Sequence, residues 1–227
     1  DIEAEAIGAI TGQGIVGIRY EAAKPEQVYF EETHAQLQGI LDQAIPDAFN
    51  EITSVSDDGQ RLVIRSFSEQ KAPEYYLLHM DGMRMEPLAK TMPSLENLKL
   101  GETRIISYEA RDGRTIHGYL TLPPDYEDGE RVPLIINPHG GPWARDTWGL
   151  RFWFDYERQF LASRGFAVLR INFRGSTGYG KEHLEASFKN LEAMHHDVID
   201  GVRWAISEGI ADKDKVGIGG ASWGGYA

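Results

Sequence analysis

Val216-Gly217-Ile218-Gly219-Gly220-Ala221-Ser222-Trp223-Gly224-Gly225-Tyr226 sets an apolar run against a serine that has glycines two residues before and two residues after it. The segment Gly220-Ala221-Ser222-Trp223-Gly224 fits the Gly-x-Ser-x-Gly pattern. In that pattern a strand runs into a very tight turn that opens a helix, and the glycines remove side chains that would collide. Val216 to Gly219 supplies the strand, so Ser222 is expected to hold its hydroxyl clear of the backbone at the carboxyl edge of a sheet. Gly217 and Gly219 could also begin a dinucleotide fingerprint. Its third glycine position is occupied by Ser222, however, and no ribose-binding acid follows before Ala227.

Moving back along the chain, strands alternate with helices. Pro133 to Asn137 is a near-continuous apolar run of the sort buried on both faces of a parallel sheet. Trp153, Tyr156 and Phe160 recur at helical spacing, with Gly165 placed to end that helix. Phe166 to Asn172 is the next strand. Leu191, Met194, Val198, Val202 and Ala205 mark the apolar face of a second helix, closed by Gly209. Together with Val216 to Gly219 this predicts an open parallel α/β sheet. Ahead of it, Arg104 to Glu109 and Thr115 to Leu122 alternate around Asp112-Gly113, a hairpin signal, before Pro123-Pro124 and the acidic loop Asp125 to Arg131.

The front of the chain reads differently. Ile52 to Ser56, Leu62 to Phe67, Tyr75 to Leu78 and Met83 to Leu88 are short strands joined at Asp57-Asp58-Gly59-Gln60 and Asp81-Gly82. Four such strands make one propeller blade, and Ile15 to Tyr20 with Val28 to Phe30 suggest part of another. The remainder of Ile7 to Pro46 gives no clear period. A small independent β-sheet domain is the plainer alternative. Blades close in rings, so the blade reading expects further blades upstream. A linker at Thr91 to Leu100, containing Pro93, separates the two kinds of organisation, giving expected domains of 1–93 and 94–227.

Composition narrows the function. The 227 residues carry 35 acidic and 23 basic side chains, a net charge of −12, without a basic cluster that would neutralise phosphates, so nucleic acid is not an expected partner. Most of that charge lies at the front, where 16 acids against 7 bases in residues 1–93 give −9 and 19 against 16 in 94–227 give −3; a solvated acidic face accounts for it. The longest apolar stretches, Val132 to Ile136 and Phe166 to Leu169, fall far short of the roughly 20 residues a membrane helix needs, so no membrane partner is expected. There is no cysteine, which excludes disulfides, thiolate catalysis and Cys-based zinc sites. The compartment stays open, with cytoplasm favoured over periplasm. The chain begins at Asp1 with no charged-then-apolar leader, so the native start is expected to be processed or missing.

A serine hydroxyl needs a base to take its proton and donors for the oxyanion it creates. The second requirement is visible in His139-Gly140-Gly141-Pro142, directly after the first core strand, where paired glycines let a backbone N–H face a reacting carbonyl. Gly141 and Trp223, the residue after Ser222, are the expected backbone donors, with Gly140 in the oxyanion loop. A plain tight turn is the bland reading of those glycines. His139 precedes the serine, and a loop-orienting role suits it better than that of a base.

Four motifs in this order resemble the prolyl oligopeptidase family of serine peptidases, and its acylaminoacyl-peptidase-like branch in particular: His139 to Pro142, Asn172 to Gly180, Asp197 to Gly201, and Gly219 to Tyr226. Ser56-Asp57-Asp58-Gly59 also resembles a turn of that family's propeller blades. The resemblance implies the N-terminal half of an α/β hydrolase, a parallel sheet with flanking helices, preceded by the last blade or blades of a β-propeller. It also implies peptide hydrolysis through Ser222 without cofactor or metal, on short peptides admitted past the propeller. The family's order is Ser, then Asp, then His, but only five residues follow Ser222, so the chain by itself is expected to be inactive and hard to fold alone. His195 and His196 lie about 100° apart on a helix and would not converge on one metal. Arg174 to Gly180 lacks the Lys-Ser/Thr ending of a P-loop and is expected to shape the floor or rim of the site. A carboxylic-ester hydrolase built on the same elbow, or a non-catalytic binding module on the same scaffold, are the competing functions.

Overall fold

The computed structural model describes residues 4–12, 14–188 and 190–227. It forms two compact units: one comprises Lys99–Thr147 and Phe154–Ala227, and the other runs through Leu98 and takes in Trp148–Trp153.

In the first-numbered unit along the chain, β1 (Ala4–Gly8), β2 (Ile15–Glu21) and β3 (Pro25–Tyr29) form an antiparallel three-stranded sheet. The helix α1 (Glu32–Ala44) follows. Next come β4 (Phe49–Val55), β5 (Arg61–Phe67), β6 (Glu74–His79) and β7 (Arg84–Lys90), an antiparallel meander in sequential order. The turns fall where the Asp-Gly pairs require them, with Gly59 and Gly82 both at positive φ. The helix lies in the segment whose sequence gives no clear period. Its Leu37 and Leu41 pack with Ile45, Leu62, Ile64 and Leu78, and Asn50 donates to the Ile45 carbonyl at 2.9 Å while accepting from Gln38 at 2.9 Å, so the helix end is tied to β4.

The second unit is built on a five-stranded sheet of β8 (Thr103–Glu109), β9 (Thr115–Thr121), β10 (Val132–Ile136), β11 (Ala167–Asn172) and β12 (Ala211–Ile218), in the order β12-β10-β11-β9-β8. Strands β10, β11 and β12 are parallel, as the strand–helix alternation predicts. The sheet as a whole is mixed rather than purely parallel. The Asp112-Gly113 hairpin adds its strand β9 antiparallel to β11, because a two-strand ribbon leaves an outer edge free to pair. Every residue of β11 is buried, consistent with a central strand. Leu134, Ile136, Leu169, Ile171, Leu120 and Ile116 share one core with Met194, Val198 and Ala205 of helix α4 (Leu191–Ser207), which follows the short helix α3 (Lys181–Glu185). Each of the large aliphatic side chains there contributes on the order of 1.5–3 kcal/mol on leaving water.

Helix α2 (Trp153–Ala162) forms where its spacing predicts, but it does not bury the aromatic stripe. Phe160 is 59% exposed and Tyr156 only partly buried, whereas Asp155, Arg158, Gln159 and Ala162 face inward; the Trp153 side chain lies outside those described. The reason is a set of polar partners distant in sequence. Gln159 pairs with both the N–H and the carbonyl of Gly101, at 2.8 and 2.9 Å, and Asp155 accepts from Arg158 and from Arg170 of β11 at 3.2 and 2.7 Å. Among the described residues no helix is long and apolar enough to cross a membrane.

Candidate active site

The carboxyl ends of β10 and β12 lie side by side. Gly219 N–H donates to the Ile136 carbonyl at 3.1 Å, and the Asn137 side chain returns a bond to the Gly219 carbonyl at 3.0 Å. Beyond that point β12 turns sharply. Ser222 takes φ 55° and ψ −122°, and the short helix α5 (Trp223–Tyr226) starts at once. A non-glycine residue held there stores on the order of 1–3 kcal/mol of backbone strain, a pattern concentrated at functional sites. Ser222 is exposed, and its Oγ makes no hydrogen bond to the described residues. The flanking glycines are sterically required. A Cβ on Gly220 would lie 2.7 Å from the Gly224 carbonyl carbon, and one on Gly224 would collide with the Pro138 carbonyl oxygen.

That second contact is what brings the elbow against the loop after β10. A Cβ built on Gly140 would sit 3.3 Å from Ser222 Cβ and 3.9 Å from its Oγ. Gly141 has φ 125°, a conformation open only to glycine. The loop, Ser222 and the start of α5 therefore form one locus, with Trp223 buried beneath it. An aromatic column ties the parts together. The His139 and Phe173 rings stack with centroids 4.3 Å apart, Phe173 and Trp223 pack at 4.3 Å, and Trp223 stacks on His195 at 5.7 Å. His196 instead points toward Glu192, 3.9 Å away, so the two adjacent histidines diverge as helical spacing requires.

The segment Asn172 to Gly180 is bonded to the loop that follows β10, a role that sequence spacing alone leaves vague. Thr177 N–H donates to the Ala144 carbonyl at 2.9 Å, Asp146 N–H to Asn172 Oδ1 at 2.7 Å, and His139 Nε2 lies 2.9 Å from Ser176 Oγ. Arg174 anchors the segment itself. Its guanidinium bridges Asp197 of α4, at 2.8 and 2.7 Å, and Asp112 of the hairpin, at 2.7 and 3.0 Å. Those bonds hold the Asp112 carboxyl down to about 2. Gly201 follows from the same packing, since the Tyr108 hydroxyl reaches the Asp197 carbonyl at 2.6 Å across the space a side chain there would fill.

Comparison with known proteins decides the lineage. A match to the prolyl oligopeptidase family spans residues 152–227, which include the elbow and the Asn172 to Gly180 segment. The chain is 39% identical over 183 residues to dipeptidyl aminopeptidase BIII of Pseudoxanthomonas mexicana, covering 77% of this chain and 26% of that protein. The chain belongs to the prolyl oligopeptidase family. Dipeptidyl peptidase family member 6 of Caenorhabditis elegans is a further relative, 34% identical over 224 residues, with 89% of this chain and 30% of that protein covered. The chain thus spans between a quarter and a third of these curated relatives. In fold it is similar to a Mycobacterium tuberculosis puromycin-hydrolyzing peptidase, with a TM-score of 0.74 at 24% identity over 98% of this chain and 35% of that one. Pyrococcus horikoshii acylaminoacyl peptidase follows at 0.63 and 22%, over 92% and 32% of the respective chains.

Burial governs the histidines around this prolyl oligopeptidase-family site. It pushes His139, His117 and His183 below their ordinary value near 6.5, so each stays neutral in the folded chain. The unfolded chain takes up these protons as pH falls below about 6.5 while the native state resists them, so stability is full above that pH and declines below it. Urea midpoints of the complete protein should therefore fall between about pH 7.5 and 5.5. Substituting His139, His117 and His183 by Asn should flatten that slope. The Asp112–Arg174 link, with its carboxyl pKa near 2, persists through this window.

Proposed function

We propose that the complete protein is a serine peptidase that hydrolyses short peptides by acyl transfer through Ser222. The observation that carries this reading is the strained, exposed Ser222 at φ 55° beside Gly140. Ser222 Oγ attacks the scissile carbonyl carbon and gives its proton to a base. The carbonyl oxygen becomes an oxyanion held by the N–H groups of Trp223 and Gly141, with Gly140 leaving room for the close approach. Collapse expels the amine, protonated by the same base, and leaves an ester on Ser222 that water then hydrolyses. His139 is not that base, because both its ring nitrogens are engaged, by Ser176 and by the Gly140 carbonyl. The base and its acid partner come from residues of the complete protein outside this chain, which by itself turns over no substrate. On this reading residues 1–93 are the closing part of a β-propeller that limits entry to short peptides, and 94–227 are the first half of an α/β-hydrolase domain.

The relatives carry peptidase names of two kinds, dipeptidyl and acylaminoacyl. Dipeptidyl arylamides, N-acyl aminoacyl arylamides and simple p-nitrophenyl esters should therefore be assayed in parallel on the complete protein. Cleavage of at least one arylamide class is the expected outcome. Ester turnover with neither amide cleaved would replace the peptidase by a carboxylic-ester hydrolase.

A further inference from the structure

Asn172 ends the central strand β11 fully buried, and the chemistry proposed above makes no use of its side chain. Hydrogen-bond polarity fixes which way its carboxamide points. The Asp146 N–H can only donate, so the atom 2.7 Å from it is Oδ1. The Asp146 carbonyl can only accept, so Nδ2, 3.1 Å away, directs a hydrogen at it. The second Nδ2 hydrogen goes to the Tyr179 hydroxyl at 2.8 Å. One side chain thus pairs with both backbone groups of a single residue, as a neighbouring strand would, although Asp146 lies in a loop.

Asp146 is the downstream foot of the loop that follows β10. The upstream foot is Asn137, whose N–H donates to the Leu169 carbonyl of β11 at 2.8 Å and whose side chain donates to the Gly219 carbonyl at 3.0 Å. Between the feet the chain is folded tightly. Ala144 N–H donates to the Pro142 carbonyl at 2.9 Å, and a Cβ on Gly141 would lie 2.7 Å from Trp143 N and 3.1 Å from Ala144 N. A displacement of Asp146 is therefore passed back toward Gly141 rather than absorbed by slack chain. The chain leaves this unit after Thr147 and returns at Phe154, so Asp146 stands one residue short of that departure. Arg170 holds the Asp146 carboxylate, whereas Asn172 holds the backbone, which is the part that continues into the loop. On the acyl-transfer reading above, we infer that Asn172 is a positioning residue: by pairing with both backbone groups of Asp146 it fixes the downstream foot of the loop, and with it the aim of the Gly141 N–H at the substrate oxygen.

Removing an oxyanion donor outright costs on the order of 10²–10³ in kcat, and a displacement of about 1 Å caused from a distance costs up to about 10². Asn172→Asp in the complete protein keeps the shape of the side chain but sets an oxygen against the Asp146 carbonyl. It should lower kcat at least about tenfold while KM changes by less than about twofold. Affinity for a peptide boronate, which mimics the tetrahedral state, should fall in step with kcat/KM. Asn172→Leu, which removes both arms of the pairing, should act in the same direction. It should also raise amide hydrogen exchange across residues 138–146 while Val132–Ile136 stays protected; where it does not fold, Asn172→Asp carries the test. Leu120→Ala, a truncation in the buried core of β9, should cost at least as much melting temperature and leave kcat unchanged. An unaltered kcat in a folded Asn172 variant overturns the inference, as does a loss of kcat that Leu120→Ala reproduces at equal loss of stability. With wild type labelled at Ser222 by a fluorophosphonate, those results sink this inference alone, whereas an unlabelled wild type sinks the acyl-transfer reading beneath it.

Discussion

Ser222→Ala in the complete protein should lower kcat on peptide arylamides by roughly four to six orders of magnitude, and it should abolish covalent labelling by a fluorophosphonate. Its melting temperature should stay close to that of wild type. Both effects follow from the elbow. Within this chain the hydroxyl is exposed, so its deletion leaves the packing of the described residues unchanged. Alanine inherits the same φ of 55° and the same strain. On the acyl-transfer reading proposed above, the loss is chemical, the nucleophile being absent while Trp223 and the Gly140-Gly141 loop keep their places. A variant that keeps more than about one per cent of wild-type amidase activity would place the covalent step on another residue. Unlabelled wild-type protein that still binds peptides would turn the scaffold into a binding module.

The elbow was readable because everything it needs is local. Two glycines at fixed offsets, an apolar run before them and a second glycine pair after β10 are all properties of adjacent residues. The parallel core of β10, β11 and β12, and the face of α4 through Met194, Val198 and Ala205, were likewise legible from period alone. Helix α1 was not. Only Leu37 and Leu41 of its stripe are buried, Ile40 on the same helix is 49% exposed, and the polar Gln38 is inside. Its apolar pattern is too thin to separate from the strands on either side. The orientation of α2 was hidden for a different reason: Asp155 and Gln159 are inward because Arg170 and Gly101 wait for them, and no local pattern announces a partner 15 or 58 residues away. Ser176 and Arg174 belong to the same class. Their roles depend on His139 and Asp197, 37 and 23 residues distant, and sequence alone offers only that they stand in a glycine-rich loop.

Arg170→Met should be the most destabilising single substitution in the Lys99–Ala227 part of the chain, lowering stability by about 3–5 kcal/mol or preventing folding. Arg170 sits on the central strand at 3% exposure, a position that would suit an aliphatic residue. It is tolerated because Asp146 and Asp155 both accept from its guanidinium, while Arg158 shares Asp155. Two arginines and two aspartates give a neutral cluster. Burial and the neighbouring Arg170 pull Arg158 down to about 10, whereas at Arg170 burial is outweighed by the two carboxylates and its pKa is raised. Methionine fills the space but leaves two buried carboxylates facing one arginine, and that uncompensated charge is the cost. Adding Asp146→Asn restores the balance as one Asp155–Arg158 pair, so Arg170→Met/Asp146→Asn should recover much of the lost urea midpoint. Lys99→Ala, which removes an ion pair 69% and 87% exposed at its two ends, should leave the midpoint unchanged. The cluster also reaches the segment packed on the loop after β10, since Asp146 N–H is bonded to Asn172. Activity of the double variant should therefore return only as far as Asp146 regains its place. A midpoint that Arg170→Met does not move would mean that the strand tolerates two uncompensated carboxylates, and the charge-balance account of the cluster would fall.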